Sequence, residues 1–239
     1  RELLGHRDAV PTDFLAPARA TAADRPPPQT IGPFTVTRRL GRGGMGEVFA
    51  ARDPEAGRDV AIKLVHAAGG GGPVGAEILS RFENERRMLA RMDHPGIARV
   101  WSVGRTEGGE PWLAMELVPG ARDIVTAAGE RNLDLHDRVR MMARVADAVH
   151  HAHQRGVVHR DLKPGNIVVS DEDAGRPPRP RVIDFGVARL ADEAASLDFR
   201  TRAGQLIGTQ AYMAPEQARD PAGADVRCDV FALGTVLYE

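Results

Sequence analysis

The chain has 239 residues, enough for one large domain or for two lobes with separate cores. Hydrophobic residues make up 42% and charged residues 27%, ordinary usage for a globular protein, and a net charge of −1 gives no pull towards nucleic acid or an anionic membrane. Cys228 is the only cysteine, which excludes an intrachain disulfide and any zinc spacing, and no apolar run is long enough to cross a bilayer.

Residues 1–30 are rich in Ala, Pro and Arg, end in Arg25-Pro26-Pro27-Pro28, and predict an extended, disordered linker. From Phe34 the pattern changes to short apolar strands. Leu40-Gly41-Arg42-Gly43-Gly44-Met45-Gly46-Glu47-Val48-Phe49 carries G-x-G-x-x-G, a string that dinucleotide-binding folds share. In those folds the glycines open a helix, whereas Glu47-Val48-Phe49-Ala50 continues as a strand. The stretch therefore predicts a glycine hairpin whose N–H groups close over phosphates, against the plainer reading of an ordinary Gly-rich turn.

Val60-Ala61-Ile62-Lys63 reads as the next strand. A lone lysine there would usually be a solvated amine on an edge strand. Yet Lys63 and Lys163 are the only lysines in the chain, every other basic side chain being arginine. A drift from Lys to Arg costs little at a surface, but not where a compact point charge is needed. After a Gly-rich connection, 77–92 predicts a helix with Ile78, Phe82, Glu85 and Leu89 near one face. A glutamate on an apolar face needs a buried partner, and Lys63 is the candidate for Glu85; the alternative is a solvated helix charge. Strands are predicted at 97–103 and 112–118, and a long helix at 135–155. That helix carries a stripe of Val139, Met142, Ala143, Val145, Ala146 and Val149. Its His150, His151 and His153 read as capping and packing residues rather than metal ligands.

His159-Arg160-Asp161-Leu162-Lys163-Pro164-Gly165-Asn166 has the form H-R-D-L-x-x-x-N, and Asp184-Phe185-Gly186 follows it as D-F-G. Strands at 167–169 and 181–183 predict a hairpin between the two. Phosphoryl transfer explains the residue types. An acceptor hydroxyl must be oriented and relieved of its proton, which suits Asp161, and hard oxygen donors such as Asn166 and Asp184 suit Mg²⁺. Ala214-Pro215-Glu216 closes the segment that Asp184 opens. Residues 226–239 begin an apolar helix containing Asp229.

On these motifs the chain resembles the eukaryotic-like serine/threonine protein kinases, in particular their bacterial branch, from about Ile31 onwards. The resemblance implies an α+β, two-lobed fold. A small antiparallel sheet with one helix would fill 31–118, and a mainly helical lobe, incomplete at its C-terminus, 119–239. It implies ATP and Mg²⁺ as cofactors and Ser/Thr hydroxyls of proteins as acceptors, with Lys163-Pro164 favouring Ser/Thr over Tyr. Asp161, Lys163, Lys63 and Glu85 would be catalytic. Leu40, Gly41, Gly43, Gly46, Val48, Ala61, Lys63, Met115, Glu116, Val118 and Val168 would hold the nucleotide, Met115 being the gatekeeper and the Glu116 carbonyl and Val118 amide facing adenine. Asn166 and Asp184 would hold the metal, and Asp229 the backbone of the catalytic loop. A nucleotide-binding scaffold without turnover is the alternative.

The resemblance also implies a cytoplasmic catalytic domain, tethered to the membrane where relatives continue into a span, and pairing of two kinases for autophosphorylation in trans. Among Ser196, Thr201 and Thr209 it selects Thr201, flanked by Arg200 and Arg202, as the activating phosphosite with Arg160 as its partner. The resemblance also implies helices after residue 239 that would cover Val230, Phe231, Leu233 and Val236 and pair Glu216 with an arginine. The chain as it stands is accordingly expected to be poorly stable and weakly active or inactive.

Overall fold

The computed structural model describes residues 26–43, 46–65, 92–171, 177–185, 210–220 and 223–239. The helix expected at 77–92, with Glu85, lies outside them apart from Met92. So do Gly186, Ser196, Thr201, Thr209 and most of the expected linker.

Six strands form the first sheet: β1 (Thr30–Ile31), β2 (Phe34–Gly43), β3 (Gly46–Asp53), β4 (Arg58–Val65), β5 (Val100–Arg105) and β6 (Pro111–Glu116), in the spatial order β1-β2-β3-β4-β6-β5. All their pairings are antiparallel. The two-residue side-chain period decides what faces what. Val60, Ile62 and Leu64 of β4 and Trp112 and Ala114 of β6 pack with Ile31, Phe34, Phe49 and Ala51 into one core. The intervening Ala61, Leu113 and Met115 face the other way and gather Leu40, Val65, Val100 and Val103. This second face carries Lys63, in register with Val48.

β7 (Arg122–Asp123), β8 (Ile167–Val169) and β9 (Pro180–Val182) make a second, three-stranded antiparallel sheet. Among the described residues four helices accompany it: α1 (Ile124–Glu130), α2 (Leu135–His153), α3 (Pro215–Arg219) and α4 (Val226–Tyr238). The N-termini of α1, α2 and α4 are capped by Asp123, Asp134 and Asp225, whose carboxylates accept backbone N–H groups of the first turn. The small β lobe and helical lobe match the α+β, two-lobed expectation.

Several expectations shift. Thr30 and Ile31 are a strand paired with β2 rather than the end of a linker and a bare domain edge. The strand expected from Ile97 begins at Val100, because Ile97 instead makes a parallel bridge to Val182 of the other sheet. Helix α2 buries Met141, Val145, Ala148, Val149 and Ala152, a stripe at i, i+4, i+7, i+8 and i+11, and leaves Val139, Ala143 and Ala146 in solvent. The broad stripe read from sequence mixed two faces. In α4, Val236 is buried and Leu233 packs on the core, while Val230 and Phe231 are exposed. Helix α1 had no counterpart in the sequence reading.

Candidate functional site

Several of the residues singled out above lie about the cleft between the two sheets. On its upper wall, Leu40 packs against the group of Ala61 and Met115. Val168 is buried on the lower wall, on the opposite face of β8 from Ile167 and Val169, which join the helical core. Between the walls runs the strand end at Glu116 and Val118. No described residue accepts a hydrogen bond from the Val118 amide, which leaves that donor for a planar acceptor in the cleft. The Glu116 side chain is committed elsewhere: Oε1 lies 2.6 Å from Arg181 Nη1, and Oε2 accepts from the Arg99 amide at 3.3 Å.

The glycines of the hairpin serve two separate purposes. Gly46 has φ +152, and a Cβ there would sit 2.0 Å from the Leu64 carbonyl oxygen, so packing of β3 against β4 demands glycine. A Cβ on Gly41 or Gly43 would meet nothing within 4 Å. No described residue requires those two to be glycine, and the space beside them is open. We therefore expect Gly46→Ala to destabilise the chain by about 1–3 kcal/mol through overpacking. Gly41→Ala and Gly43→Ala should leave the urea midpoint in place and weaken nucleotide binding in a titration. Equal stability losses at all three positions would contradict this division.

At the floor of the cleft Lys63 Nζ lies 2.7 Å from Asp184 Oδ2, with both side chains 13% exposed. Lys63 was expected to seek Glu85; among the described residues its ion-pair partner is Asp184. Asp184 takes φ +63, a left-handed conformation unusual for a non-glycine residue. Opposite it, Lys163 Nζ lies 2.9 Å from Asp161 Oδ2 and 3.2 Å from Oδ1. Asn166 donates through Nδ2 to the Asp161 carbonyl at 2.6 Å and to its Oδ2 at 3.1 Å. Both partners are acceptors, so the amide nitrogen must face them and the oxygen is left as the outward group.

The donor chemistry fits Mg²⁺. The Asn166 amide oxygen and the Asp184 carboxylate are hard oxygen donors. Among the described residues no cluster of three or more His, Cys, Asp or Glu side chains could hold a metal. A cation at Asn166 and Asp184 would take the rest of its shell from water and phosphate, as Mg²⁺ commonly does.

The loop that carries Asp161 is tethered from below. Asp229, 1% exposed, accepts the His159 amide on Oδ2 and the Arg160 amide on Oδ1, each at 2.8 Å, and His153 Nε2 lies 2.7 Å from Oδ2. Burial alone would raise this carboxyl; the bonds from His153 and from the two amides outweigh it and hold the group below the ordinary carboxylate range. Neighbouring Cys228 is driven the other way, to about 12, by burial and then by the Asp229 charge, so it is an inert core thiol. His159 is fully buried. Its Nδ1 accepts from the Asp161 amide at 3.2 Å, which puts the proton on Nε2, and that donates to the Ile183 carbonyl at 2.9 Å. The histidine thus ties the Asp161 loop to the strand end that carries Asp184.

The sequence reading takes His153 for a capping and packing residue and does not single out Gln217. His153 sat among three histidines of equal appearance, and only the fold distinguishes it. Gln217 donates to the Arg160 carbonyl at 2.6 Å, and its one sequence signal is its place directly after Ala214-Pro215-Glu216.

Known proteins resemble this chain over most of its length. A family model described as protein kinase domain matches residues 34–239. The chain is 39% identical over 215 residues to the DNA damage-responsive serine/threonine-protein kinase RqkA of Deinococcus radiodurans, covering 87% of this chain and 29% of that protein. It is 39% identical over 206 residues to the serine/threonine-protein kinase PknB of Mycobacterium tuberculosis, covering 84% of this chain and 31% of that one. The crystal structure of the Mycobacterium tuberculosis PknI kinase domain superposes with a TM-score of 0.64 at 29% identity, over 87% of this chain and 73% of that domain. The chain spans about three tenths of the length of these curated relatives.

Proposed function

Because the chain belongs to the protein kinase domain family, we propose that it is the catalytic part of an ATP-dependent serine/threonine protein kinase. The observation that carries this reading is the Asp161 carboxylate held between Lys163 Nζ at 2.9 Å and Asn166 Nδ2 at 3.1 Å. A carboxylate so fixed can orient a Ser or Thr hydroxyl and accept its proton. Lys163 supplies positive charge beside the point where the acceptor oxygen becomes nucleophilic. The Gly41 and Gly43 cradle, with Leu40, Val48, Ala61, Met115 and Val168 as apolar walls, receives the nucleotide, and Glu116 and Val118 offer backbone groups to its base. Lys63 neutralises phosphate charge, for which it must leave Asp184. A divalent cation bound at Asp184 and Asn166 would neutralise the charge of the transferred group. No described helix is long and apolar enough to cross a membrane. The acceptors are protein Ser and Thr hydroxyls, Thr201 of a second copy among them, and the reaction belongs to the cytoplasm.

Lys63→Met provides the test. Removing one preorganised cation from the phosphates should cost about 10²–10³-fold in transfer, measured with radiolabelled ATP and a generic basic protein. The fold should survive, because neither Lys63 nor Asp184 is sealed from water. Turnover unchanged by this variant would remove the assignment.

A further inference from the structure

Arg160, next to the proposed catalytic carboxylate, has φ +67, a conformation that costs a non-glycine residue free energy and persists only where its surroundings impose it. Three bonds do so. Asp229 Oδ1 accepts the Arg160 amide at 2.8 Å, the arginine's Nη2 donates to the Ala224 carbonyl at 3.0 Å, and Gln217 Nε2 donates to the Arg160 carbonyl at 2.6 Å. The third differs in kind. The carbonyl it holds belongs to the peptide unit whose N–H is that of Asp161, and that N–H is pinned to His159 Nδ1 at 3.2 Å. Gln217 and His159 thereby grip the two ends of one peptide plane, and the orientation of that plane sets where the Asp161 side chain points.

We propose that Gln217 is a positioning residue for the transfer reaction, acting through the Arg160–Asp161 peptide. This rests on the kinase reading above. Helix α3 is only five residues long and buries none of them; it is anchored at its start by Ala214, which packs with Ala224 and Cys228 beneath the loop. Gln217 is half-buried and reaches from this helix into the catalytic loop. Displacement of the Ala214-Pro215-Glu216 corner withdraws the donor, frees a strained peptide to rotate, and misdirects the carboxylate. The set of the corner is read out at Asp161 by one amide.

The experiment uses the full chain with Gln217→Leu, which removes the donor, and Gln217→Glu, which keeps the shape but sets a carboxylate against a carbonyl. Losing one such hydrogen bond should lower kcat about tenfold, with KM for ATP within about twofold of wild type because the nucleotide contacts lie elsewhere. Amide hydrogen exchange in the peptide 157–166 should rise locally in both variants, with the β lobe unaffected. Unchanged exchange in 157–166, or a rise spread over the whole chain with a lowered melting temperature, would overturn the proposal, the latter showing a merely structural contact. So would unchanged kcat in a chain whose wild type transfers phosphate. Absence of transfer by the wild type bears on the kinase reading alone, because the exchange measurement still decides whether Gln217 holds the loop.

Discussion

Asp161→Asn should abolish most phosphoryl transfer while leaving the chain folded. Asparagine has nearly the shape of aspartate and can still offer an oxygen to Lys163 or Asn166, which in wild type donate to the carboxylate at 2.9 and 3.1 Å. What it cannot do is accept the proton of an incoming hydroxyl. General-base contributions are typically about 10²–10⁴-fold, and the decrease should appear in kcat with little change in KM for ATP. The side chain is 18% exposed and its partner Lys163 23%, so the lost ion pair is wetted and contributes little to stability, at most about 1 kcal/mol. Steady-state kinetics and a urea melt on the same preparation separate the two effects. An asparagine variant with kcat within a factor of about three of wild type would show that Asp161 is not the base.

Much of the proposed site could be read before any coordinates, because phosphoryl transfer demands particular residue types and those sit in short, ordered strings. Asp161, Lys163 and Asn166 come together within seven residues of the catalytic loop, where local geometry suffices. Strand alternation then predicts that Lys63 and Ala61 share a face. The contacts that escaped are of another sort. The Lys63–Asp184 pair spans the two sheets, and no local pattern says which carboxylate an amine will choose. The Arg160 backbone is left-handed although arginine has no preference for it, because Asp229 and Gln217, far along the chain, dictate it. Helix α1 is only seven residues long, with Gly129 inside it, too short and too weak a helix former to announce itself. The stripe on α2 failed for a different reason. Its alanines and valines sit on two faces, and apolar character alone does not say which face the core takes.

The coupling between lobes also depends on pairs invisible to pattern. Glu116 lies at the strand end beside the cleft, yet its carboxylate reaches Arg181 on β9, three residues before Asp184. The neighbouring chain segment is bonded to the same strand, the Ala98 amide to the Val182 carbonyl at 2.9 Å and the Val182 amide to the Gly96 carbonyl at 2.8 Å. The upper sheet's connecting segment is therefore fixed to the strand that delivers the proposed metal ligand. A period-two reading of β9 could not foresee that its half-buried arginine would find a glutamate in the other lobe.

Asp229→Ala is expected to be the most damaging single change. Its carboxylate is buried and meets three donors: the His159 and Arg160 amides and His153 Nε2. Alanine leaves two buried N–H groups and an imidazole without an acceptor, and it releases the strained Arg160. Removing one member of such a buried charged set costs about 3–5 kcal/mol, a large part of the roughly 5–15 kcal/mol that folded domains possess. A urea melt should show that loss, or no folded baseline at all. Asp229→Asn separates charge from shape. Its oxygen can satisfy one side, but its NH₂ then faces a donor, so about 1–3 kcal/mol should go, with kcat falling as the loop loosens. The acid limb gives an independent check. The folded-state carboxyl lies below its ordinary value, so its contribution is fully present above about pH 3.9, the unfolded value, and is lost as pH falls through the folded one. The wild type should therefore lose stability faster than Asp229→Asn below pH 4. Parallel acid limbs for the two proteins, or an alanine variant that melts with the wild type, would show that Asp229 does not hold the catalytic loop in place.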